Sequence, residues 1–431
     1  MKGKTRNLEK MDVSSPACMA GCRYHVLSQK TARDFQFSCL TRFIVMSMLM
    51  ALMVATVGCL NRVPGVLWEK SLTGEANNKV AQTGRQTSDG GYIIAGFSGR
   101  PSDAWLVKVN SSGDLEWENT YGGSNNDGAS EVLQTSDGGY ILSGSTESFG
   151  FGFNSLLVRT DSEGNLLWQR GYEAGIGNCS VAETEEGGFM FVGERLLWPD
   201  NKAIAFIVRT DPEGNQLWVK TYGGEDGGGG YDHISPTADG NYIISGRKVL
   251  KTGGSLPWLV KVNPEGEVIW ERTLEGFEAI YADYVEQTSD GGYILKTYNY
   301  TWLGELEVSD EQIAKTDAEG NLEWKRGFDW SYKKTSGNLV SVHETEDGGY
   351  FLACYINEPQ GPEDEYRGDV MVAKLNSRGD VAWKKLFKKT DSIFMAQQTS
   401  DGGYIVGAHK WDSKRKGELF DIFWLYKLGA K

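Results

Sequence analysis

Short apolar runs alternate with turns rich in Gly and Asp along most of the chain. In one copy, a mixed run (Ala129–Thr135) precedes the turn and an apolar run begins at Tyr140. Asp-Gly-Gly between such runs predicts a tight hairpin of type I′, because Gly takes positive φ at no steric cost and Asp tolerates it. Tyr, Ile and Val after the turn favour strand over helix. The aromatic residue after the turn occurs seven times, as Tyr92, Tyr140, Phe189, Tyr242, Tyr293, Tyr350 and Tyr404.

A second signature lies between these copies. Its first example is the apolar run Trp105–Val109, followed by a turn with Gly113 and by Trp117. An Asx side chain caps such a turn, and Gly supplies the positive φ. Each repeat therefore holds four strands, which we call A and B around the first turn and C and D around the second. The strand-D Trp recurs as Trp68, Trp117, Trp168, Trp218, Trp270, Trp324 and Trp383, and recurrence in every repeat favours packing between sheets for this Trp and for the aromatic residue after the first turn.

The repeat spacing and the order of strands at the two ends predict the architecture. A period of about 50 residues is typical of solenoids, propellers and arrays. The repeat region begins with a lone strand D at Val66–Lys70 and ends after a strand C at Asp421–Lys427. The first strand can therefore complete the last sheet and leave no free edge. The sequence predicts an all-β fold over residues 60–431, a seven-bladed β-propeller of four-stranded antiparallel blades closed by N-terminal strand pairing with the last blade.

These repeats resemble a class of secreted archaeal and bacterial β-propeller lipoproteins with Asp-Gly-Gly-Tyr repeats. They are also similar in strand order to the propellers of the quinoprotein-dehydrogenase-like superfamily. The resemblance covers about residues 65–431 and implies a propeller outside the cytoplasm. The dehydrogenases have eight blades, a quinone and calcium site and often adjacent cysteines, which this sequence lacks, so their activity is not carried over.

The N-terminal segment predicts export and anchoring. Residues 1–42 are interpreted as a leader without ordered structure or as an extension upstream of the true translation start. Phe43–Gly58 is an apolar run that is short for a spanning helix and suits a signal peptide. Gly58-Cys59 resembles the lipobox of prokaryotic lipoproteins, which makes Cys59 the predicted lipidation site, although Thr56 departs from the usual pattern. The alternative is an uncleaved signal anchor, and both interpretations place the propeller outside the cytoplasm, at the membrane.

Composition narrows the candidate chemistry. The net charge of −14 argues against nucleic acid as a partner. We expect a monomer without a cofactor or metal. The candidates for calcium are Glu225-Asp226 with Asp232, and Asn125–Asp127. Cys179 and Cys354 are predicted to be buried and unpaired. The three histidines of the repeats are predicted to be solvated or structural; they are His233, His343 and His409.

The variable connections predict where a ligand would bind. In antiparallel four-stranded blades, the B–C and D–A connections share one face, and variable loops on a rigid scaffold usually carry binding. Exposed aromatic side chains there suit stacking on sugar rings or anchoring a protein. The candidate binding residues are Phe149, Phe151, Trp198, Tyr300, Trp302, Trp411 and Trp330. The alternative is that each ring only covers the end of its own blade.

Three functional hypotheses follow. The first is a surface-anchored binding or scaffold module for an extracellular protein or a polysaccharide. The second is a secreted glycan-active hydrolase or lyase, which requires two or three carboxylates converging in one pocket beside Trp198, Trp302 or Trp411. The third is a quinone-dependent redox propeller. The sequence contains no catalytic motif that selects an enzymatic reaction.

Overall fold

The structure is a computed structural model that describes residues 63–72, 79–150, 152–175, 179–197, 202–223, 228–277, 281–303, 306–328, 337–357, 368–388, 390, 392–411 and 421–430. Cys59 and the predicted leader and apolar segment therefore lie outside the described residues. All regular secondary structure in these ranges is β-strand. No helix in the described part of the chain has the length and apolar character to cross a membrane.

Twenty-eight strands form seven separate four-stranded antiparallel sheets in these ranges. Blade 1 contains β2 (Val80–Gln86), β3 (Tyr92–Ser98), β4 (Asp103–Val109) and β5 (Leu115–Tyr121). Blade 2 contains β6 (Asp127–Gln134), β7 (Tyr140–Thr146), β8 (Asn154–Thr160) and β9 (Leu166–Tyr172). Blade 3 contains β10 (Ser180–Glu183), β11 (Phe189–Leu197), β12 (Lys202–Thr210) and β13 (Gln216–Tyr222). Blade 4 contains β14 (Gly229–Pro236), β15 (Tyr242–Val249), β16 (Ser255–Val262) and β17 (Val268–Thr273). Blade 5 contains β18 (Tyr281–Gln287), β19 (Tyr293–Leu303), β20 (Leu306–Thr316) and β21 (Leu322–Gly327). Blade 6 contains β22 (Gly337–Glu344), β23 (Tyr350–Asn357), β24 (Gly368–Leu375) and β25 (Val381–Phe387). Blade 7 contains β26 (Ser392–Gln398), β27 (Tyr404–Trp411), β28 (Asp421–Leu428) and β1 (Val66–Leu72).

The ring closes as predicted. β1 pairs antiparallel with β28 and completes the sheet of blade 7. The predicted fold class, a seven-bladed β-propeller closed by its first strand, is confirmed. Closure is reinforced between blades 7 and 1, because the backbone N–H of Ser400 donates to Gln86 Oε1 at 2.8 Å. His409 Nε2 also lies 2.9 Å from the Ala81 carbonyl oxygen.

The first residue of the Gln-Thr-Ser-Asp-Gly-Gly-Tyr string joins neighbouring blades. Its side chain accepts a hydrogen bond from a backbone N–H in the A–B turn of the blade before it. The pairs are Ser88–Gln134, Ser136–Glu183, Ala238–Gln287, Ser289–Glu344, Glu346–Gln398 and Ser400–Gln86. At the seventh position stands Pro236, which has no such acceptor in its side chain. The string is thus conserved between repeats for turn-to-turn contact as well as for the hairpin.

The A–B turn differs from the predicted type I′ geometry. Gly90 N donates to the Thr87 carbonyl, and Thr87 N donates to the Gly91 carbonyl, both at 2.9 Å, so the loop has three residues. Only the first Gly takes positive φ, 82° at Gly90. The second Gly serves close packing, since a Cβ on Gly91 would lie 2.5 Å from the Val109 carbonyl oxygen. The Asp89 carboxylate accepts from Gly91 N and Thr87 Oγ1, which stabilises the wider loop.

The two recurring aromatic positions pack between blades, as predicted. The strand-D Trp of one blade meets the strand-B aromatic residue of the next edge-on, for example Trp117 and Tyr140 with ring centroids 5.8 Å apart. The same pairing occurs in Trp68–Tyr92, Trp168–Phe189, Trp270–Tyr293, Trp324–Tyr350 and Trp383–Tyr404. These aromatic contacts join the separate sheets into one ring.

Each strand C also carries one nearly buried cation that binds the acid of its own A–B turn. The N–O distances are 2.6–2.9 Å, and the cationic side chains are far less exposed than the acids. The pairs are Lys108–Asp89, Arg159–Asp137, Arg209–Glu186, Lys261–Asp239, Lys315–Asp290, Lys374–Asp347 and Lys427–Asp401. We call these seven pairs the turn–cation pairs.

Candidate functional site

The seven A strands line the centre of the ring. Neighbouring A strands contact one another, for example β2 with β6 and β26, and β14 with β10 and β18. They enclose a central cavity of about 510 Å³. Its polar and aromatic lining includes Arg85, Glu131, Ser180, Glu194, Tyr231, Asp232, His233, Tyr284, Ser341, His343 and Phe394. Every one of these residues except Glu194, which lies in strand B of blade 3, comes from a strand A.

A shared irregularity of the A strands brings their side chains to one level. All A strands except β10 carry a register shift at the same point, for example between Ala129 and Glu131 in β6 and between Tyr231 and His233 in β14. The residue after the shift pairs with the third residue after the strand-B aromatic. Residues at this register are Thr83, Glu131, Ser180, His233, Tyr284, Ser341 and Met395, all lining the cavity. Residues far apart in the chain thus surround one space.

Glu131 is the most strongly held carboxylate of the cavity. It accepts hydrogen bonds from Arg85 Nη2 at 3.2 Å and from Val181 N at 3.1 Å. His233 Nε2 lies 3.6 Å from Glu131 Oε1. Burial alone would raise the pKa of Glu131, but His233 and then Arg85 lower it overall. Glu131 is therefore an ionised acceptor at neutral pH.

Across the cavity, Tyr284, Glu286 and His343 form a triangle. The Tyr284 hydroxyl lies 2.9 Å from Glu286 Oε2 and 3.0 Å from His343 Nδ1, and Nδ1 lies 3.0 Å from the same carboxylate oxygen. Burial alone would raise the pKa of Glu286, but His343 lowers this pKa below its usual range. The ring of Tyr284 packs on His233 with centroids 4.5 Å apart, which links this triangle to Glu131.

A third group of charges surrounds Asp232. Arg247 binds both oxygens of Glu194 at 2.9 and 3.0 Å, and Lys296 binds Asp283 at 2.8 Å. Asp232 lines the cavity near these pairs and accepts no hydrogen bond from the described residues. It is exposed to solvent within the cavity, but the protein around the cavity still reduces the hydration of its carboxyl group. Burial first, and then the charges of Asp283 and Glu194, raise the pKa of Asp232 to about 7.

The histidines and cysteines can be compared with their predictions. His409 is buried and structural, as one of the two predicted alternatives has it. His233 and His343 both line the central cavity and contact Glu131 and Glu286, respectively. The sequence does not indicate this proximity because the two histidines are 110 residues apart. Cys179 and Cys354 are buried and unpaired, as predicted. Burial raises the pKa of Cys179 to about 12, so this thiol is unreactive.

The predicted loop residues are only partly described. Phe149 is half-buried against the core between blades 1 and 2, and its carbonyl oxygen accepts from Asn154 Nδ2 at 3.1 Å. Tyr300 and Trp302 lie in β19, and Trp411 lies in β27. Phe151, Trp198, Trp330 and Cys59 lie outside the described residues.

The calcium candidates gain no ligand arrangement in the described ranges. Within them, no group of three or more His, Cys, Asp or Glu residues is arranged to hold a metal ion. Glu225 and Asp226 lie outside these ranges. Asp127 Oδ2 accepts from Gly123 N and from Ser148 Oγ, both at 2.7 Å, so this oxygen serves the loop structure.

Comparisons with known proteins yield distant likenesses in fold. No family model matches the chain, and no curated protein matches its sequence. A solved protein of unknown function from Dyadobacter fermentans is 10% identical, with a TM-score of 0.46 and coverage of 85% of this chain and 99% of that chain. A member of the DUF4221 family from Bacteroides vulgatus is 9% identical, with a TM-score of 0.42 and coverage of 86% and 98%. Such likenesses carry no functional argument, and membership of the lipoprotein class or the quinoprotein-like superfamily stays a prediction.

Proposed function

We propose that the protein is an extracytoplasmic binding module that receives a polar group of a polysaccharide or protein partner in the central cavity. The observation that carries this proposal is the cavity itself, lined by groups from several blades that are already oriented by one another. Its volume of about 510 Å³ is within the range of small-ligand sites, roughly 300–1,000 Å³. Binding there would need little side-chain ordering, because Glu131, Tyr284 and His343 are held by existing hydrogen bonds.

The loop-face aromatics fit the same proposal as an extension of the site. Glu194 and Asp232 lie on the half of the cavity towards the B–C and D–A connections, since both are distant from the A–B turns in their strands. A chain whose terminal group entered this half would run over the loop face. Trp198, Trp302 and Trp411 are the residues that we propose for stacking on its sugar rings.

A glycan array tests the proposal with the full-length chain purified in detergent. We compare the wild type with Glu131→Gln and with a triple variant that carries Trp198→Ala, Trp302→Ala and Trp411→Ala. The proposal expects binding of at least one glycan or protein ligand, weakened roughly tenfold or more by Glu131→Gln. Asp211→Asn is the matched control, because Asp211 lies in an exposed C–D turn and its replacement removes the same charge. If Glu131→Gln and the control bind equally and have equal melting temperatures, the result contradicts a binding site in the central cavity.

Hydrolysis of a glycan is the second candidate. The hypothesis required carboxylates that converge in one pocket beside Trp198, Trp302 or Trp411. Glu131, Glu194 and Asp232 line one cavity, and none of these tryptophans is among its lining residues. Asp232, with a pKa of about 7, would serve as general acid, and the ionised Glu131 as base or nucleophile. The test is release of new reducing ends from any glycan that binds. Release by the wild type and its loss in both Asp232→Asn and Glu131→Gln favours the enzyme; binding without release favours the binding module.

Anchoring at the membrane has a separate test. We propose that Cys59 is lipidated or that the apolar segment remains as an anchor. Intact mass of the protein from the membrane fraction distinguishes them: a lipidated N-terminal Cys59 supports the first, and an unprocessed segment supports the second. Recovery of the chain from the cytosolic fraction contradicts both.

A further inference from the structure

We propose that the group received in the cavity is a protonated amine, bound by Asp232, and this inference rests on the proposed function. It concerns the chemical class of the ligand, which neither the loop aromatics nor the fold specifies.

The pairing of charges around Asp232 supports this ligand class. Each neighbouring cation already binds another carboxylate: Arg247 binds Glu194, and Lys296 binds Asp283. Farther along the cavity, Arg85 binds Glu131. Asp232 therefore remains as a cavity-lining carboxyl without a hydrogen bond from the described residues, beside two further carboxylates. A cationic group in the cavity would donate a charge-assisted hydrogen bond to Asp232.

The two residues that flank Asp232 in β14 do not compete with it for a ligand. The Tyr231 ring packs on Tyr222 and Trp258 in the core between blades 3 and 4. His233 is buried, and its Nε2 lies 3.6 Å from Glu131. Asp232 is therefore the residue of this stretch that exposes a polar group to the cavity.

The aromatic lining suits a cation as well. Tyr284 and Phe394 line the cavity, and Tyr284 is packed on His233. An ammonium group over an aromatic face gains electrostatic attraction, and the gain is larger where water is excluded. The lining of the cavity thus combines a carboxyl group with aromatic side chains, a combination suited to amines.

The charges that face Asp232 predict how binding depends on pH. They are Asp283 of β18, Glu194 of β11, Arg247 of β15 and Lys296 of β19, with His233 beside it in β14. Without ligand, Asp232 has a pKa of about 7 and is largely protonated in mildly acidic solution. An arriving ammonium would displace this proton. Affinity should then fall roughly 20-fold between pH 7.5 and pH 5.5, with uptake of the amine coupled to release of a proton.

Three probes with the same carbon skeleton test the inference: glucamine, which is cationic, sorbitol, which is neutral, and gluconate, which is anionic. Calorimetry with the full-length chain in detergent, at pH 5.5 and 7.5 and in two buffers of different ionisation heat, measures affinity and proton release. We expect glucamine to bind at least tenfold more tightly than sorbitol at pH 7.5 and to lose this advantage at pH 5.5. Asp232→Asn should abolish the preference and the proton release, whereas Asp211→Asn should change neither.

The outcomes separate this inference from the proposed function. Equal affinity for glucamine and sorbitol, or a preference for gluconate, overturns the inference that the ligand is an amine. The proposed binding site in the central cavity still stands in that case if Glu131→Gln weakens binding. A glucamine preference that persists in a folded Asp232→Asn variant also overturns it. Binding of none of the three at about 10 mM overturns the inference, and the glycan array then decides the proposed function separately.

Discussion

Replacing Asp137 by Asn removes one charge from a turn–cation pair and leaves the turn itself intact. Arg159 is 7% exposed, and its Nη2 donates to the two Asp137 oxygens at 2.7 and 2.6 Å. Asp137 Oδ1 also accepts from Thr135 Oγ1 and from Gly139 N. The amide oxygen of Asn can accept these two turn bonds, so the substitution isolates the loss of charge beside a buried guanidinium.

The exposure of the two partners sets the magnitude. Removing one partner of a fully buried ion pair costs about 3–5 kcal/mol, whereas exposed pairs contribute about 0–1 kcal/mol. Because the Asp137 side chain is 63% exposed, solvent screens its charge, and we expect Asp137→Asn to lower the free energy of unfolding by about 1–2 kcal/mol. Asp137→Ala also removes two turn bonds at about 1 kcal/mol each and should cost about 3–4 kcal/mol.

Urea unfolding followed by Trp fluorescence measures this change. The matched control is Asp161→Asn in the same blade, where an exposed Asp caps the C–D turn and Asn stands at the equivalent position of blade 1, Asn110. This control should change stability by no more than about 0.5 kcal/mol. A double-mutant cycle with Arg159→Met isolates the pair. If Asp137→Asn matches Asp161→Asn, or the coupling energy is zero, the turn–cation pairs do not stabilise the blades.

Three other perturbations test different parts of the fold. Burial opposes the shift, but bonds from the strand-C lysines lower the pKa of Asp89 and Asp401 to about 2, below the usual 3.8. Their stabilisation is therefore complete above about pH 4 and is lost as pH falls towards 2; a urea midpoint that stays constant over this interval contradicts it. Gly164 has a φ of 79°, and a Cβ there would lie 2.6 Å from the Trp117 ring, so Gly164→Ala should lower the free energy of unfolding by about 2 kcal/mol or more. Gly138 has a similar φ of 88° but lies in open space, so Gly138→Ala should cost only about 1 kcal/mol. Thermal unfolding measures both, and equal losses contradict the packing explanation. Deleting β1 exposes the edge of β28, so light scattering should show aggregation below the wild-type melting temperature, and an unchanged monomer would contradict closure by β1.

The blade architecture was predictable because it is carried by residues that recur. Asp137, Tyr140 and Trp117 have counterparts in every blade, and the offset of Val66–Leu72 from the last strand indicated how the ring closes. The turn type was not predictable from Asp-Gly-Gly alone. Gly91 looked like a positive-φ residue, but it is small because the Val109 carbonyl approaches it.

The central cavity was not predictable by the same reasoning, because its residues do not recur. Glu131, His233 and Tyr284 share a register but belong to three blades, and each looks isolated in the sequence. A signal was nevertheless present. The position of Glu131 varies in chemistry between the repeats, whereas the residue after it, such as Val132, is small or apolar in all seven copies. An alignment of the repeats at strand A would have separated the variable positions from the uniformly small or apolar ones.

The most direct test of the central claim is an experimental structure of the full-length chain with the tightest ligand from the glycan array or the amine series. A binding site in the central cavity predicts ligand density inside the ring, within hydrogen-bond distance of Asp232 and in contact with Tyr284. Density confined to the B–C and D–A loops, with water alone in the cavity, would contradict a binding function of the channel.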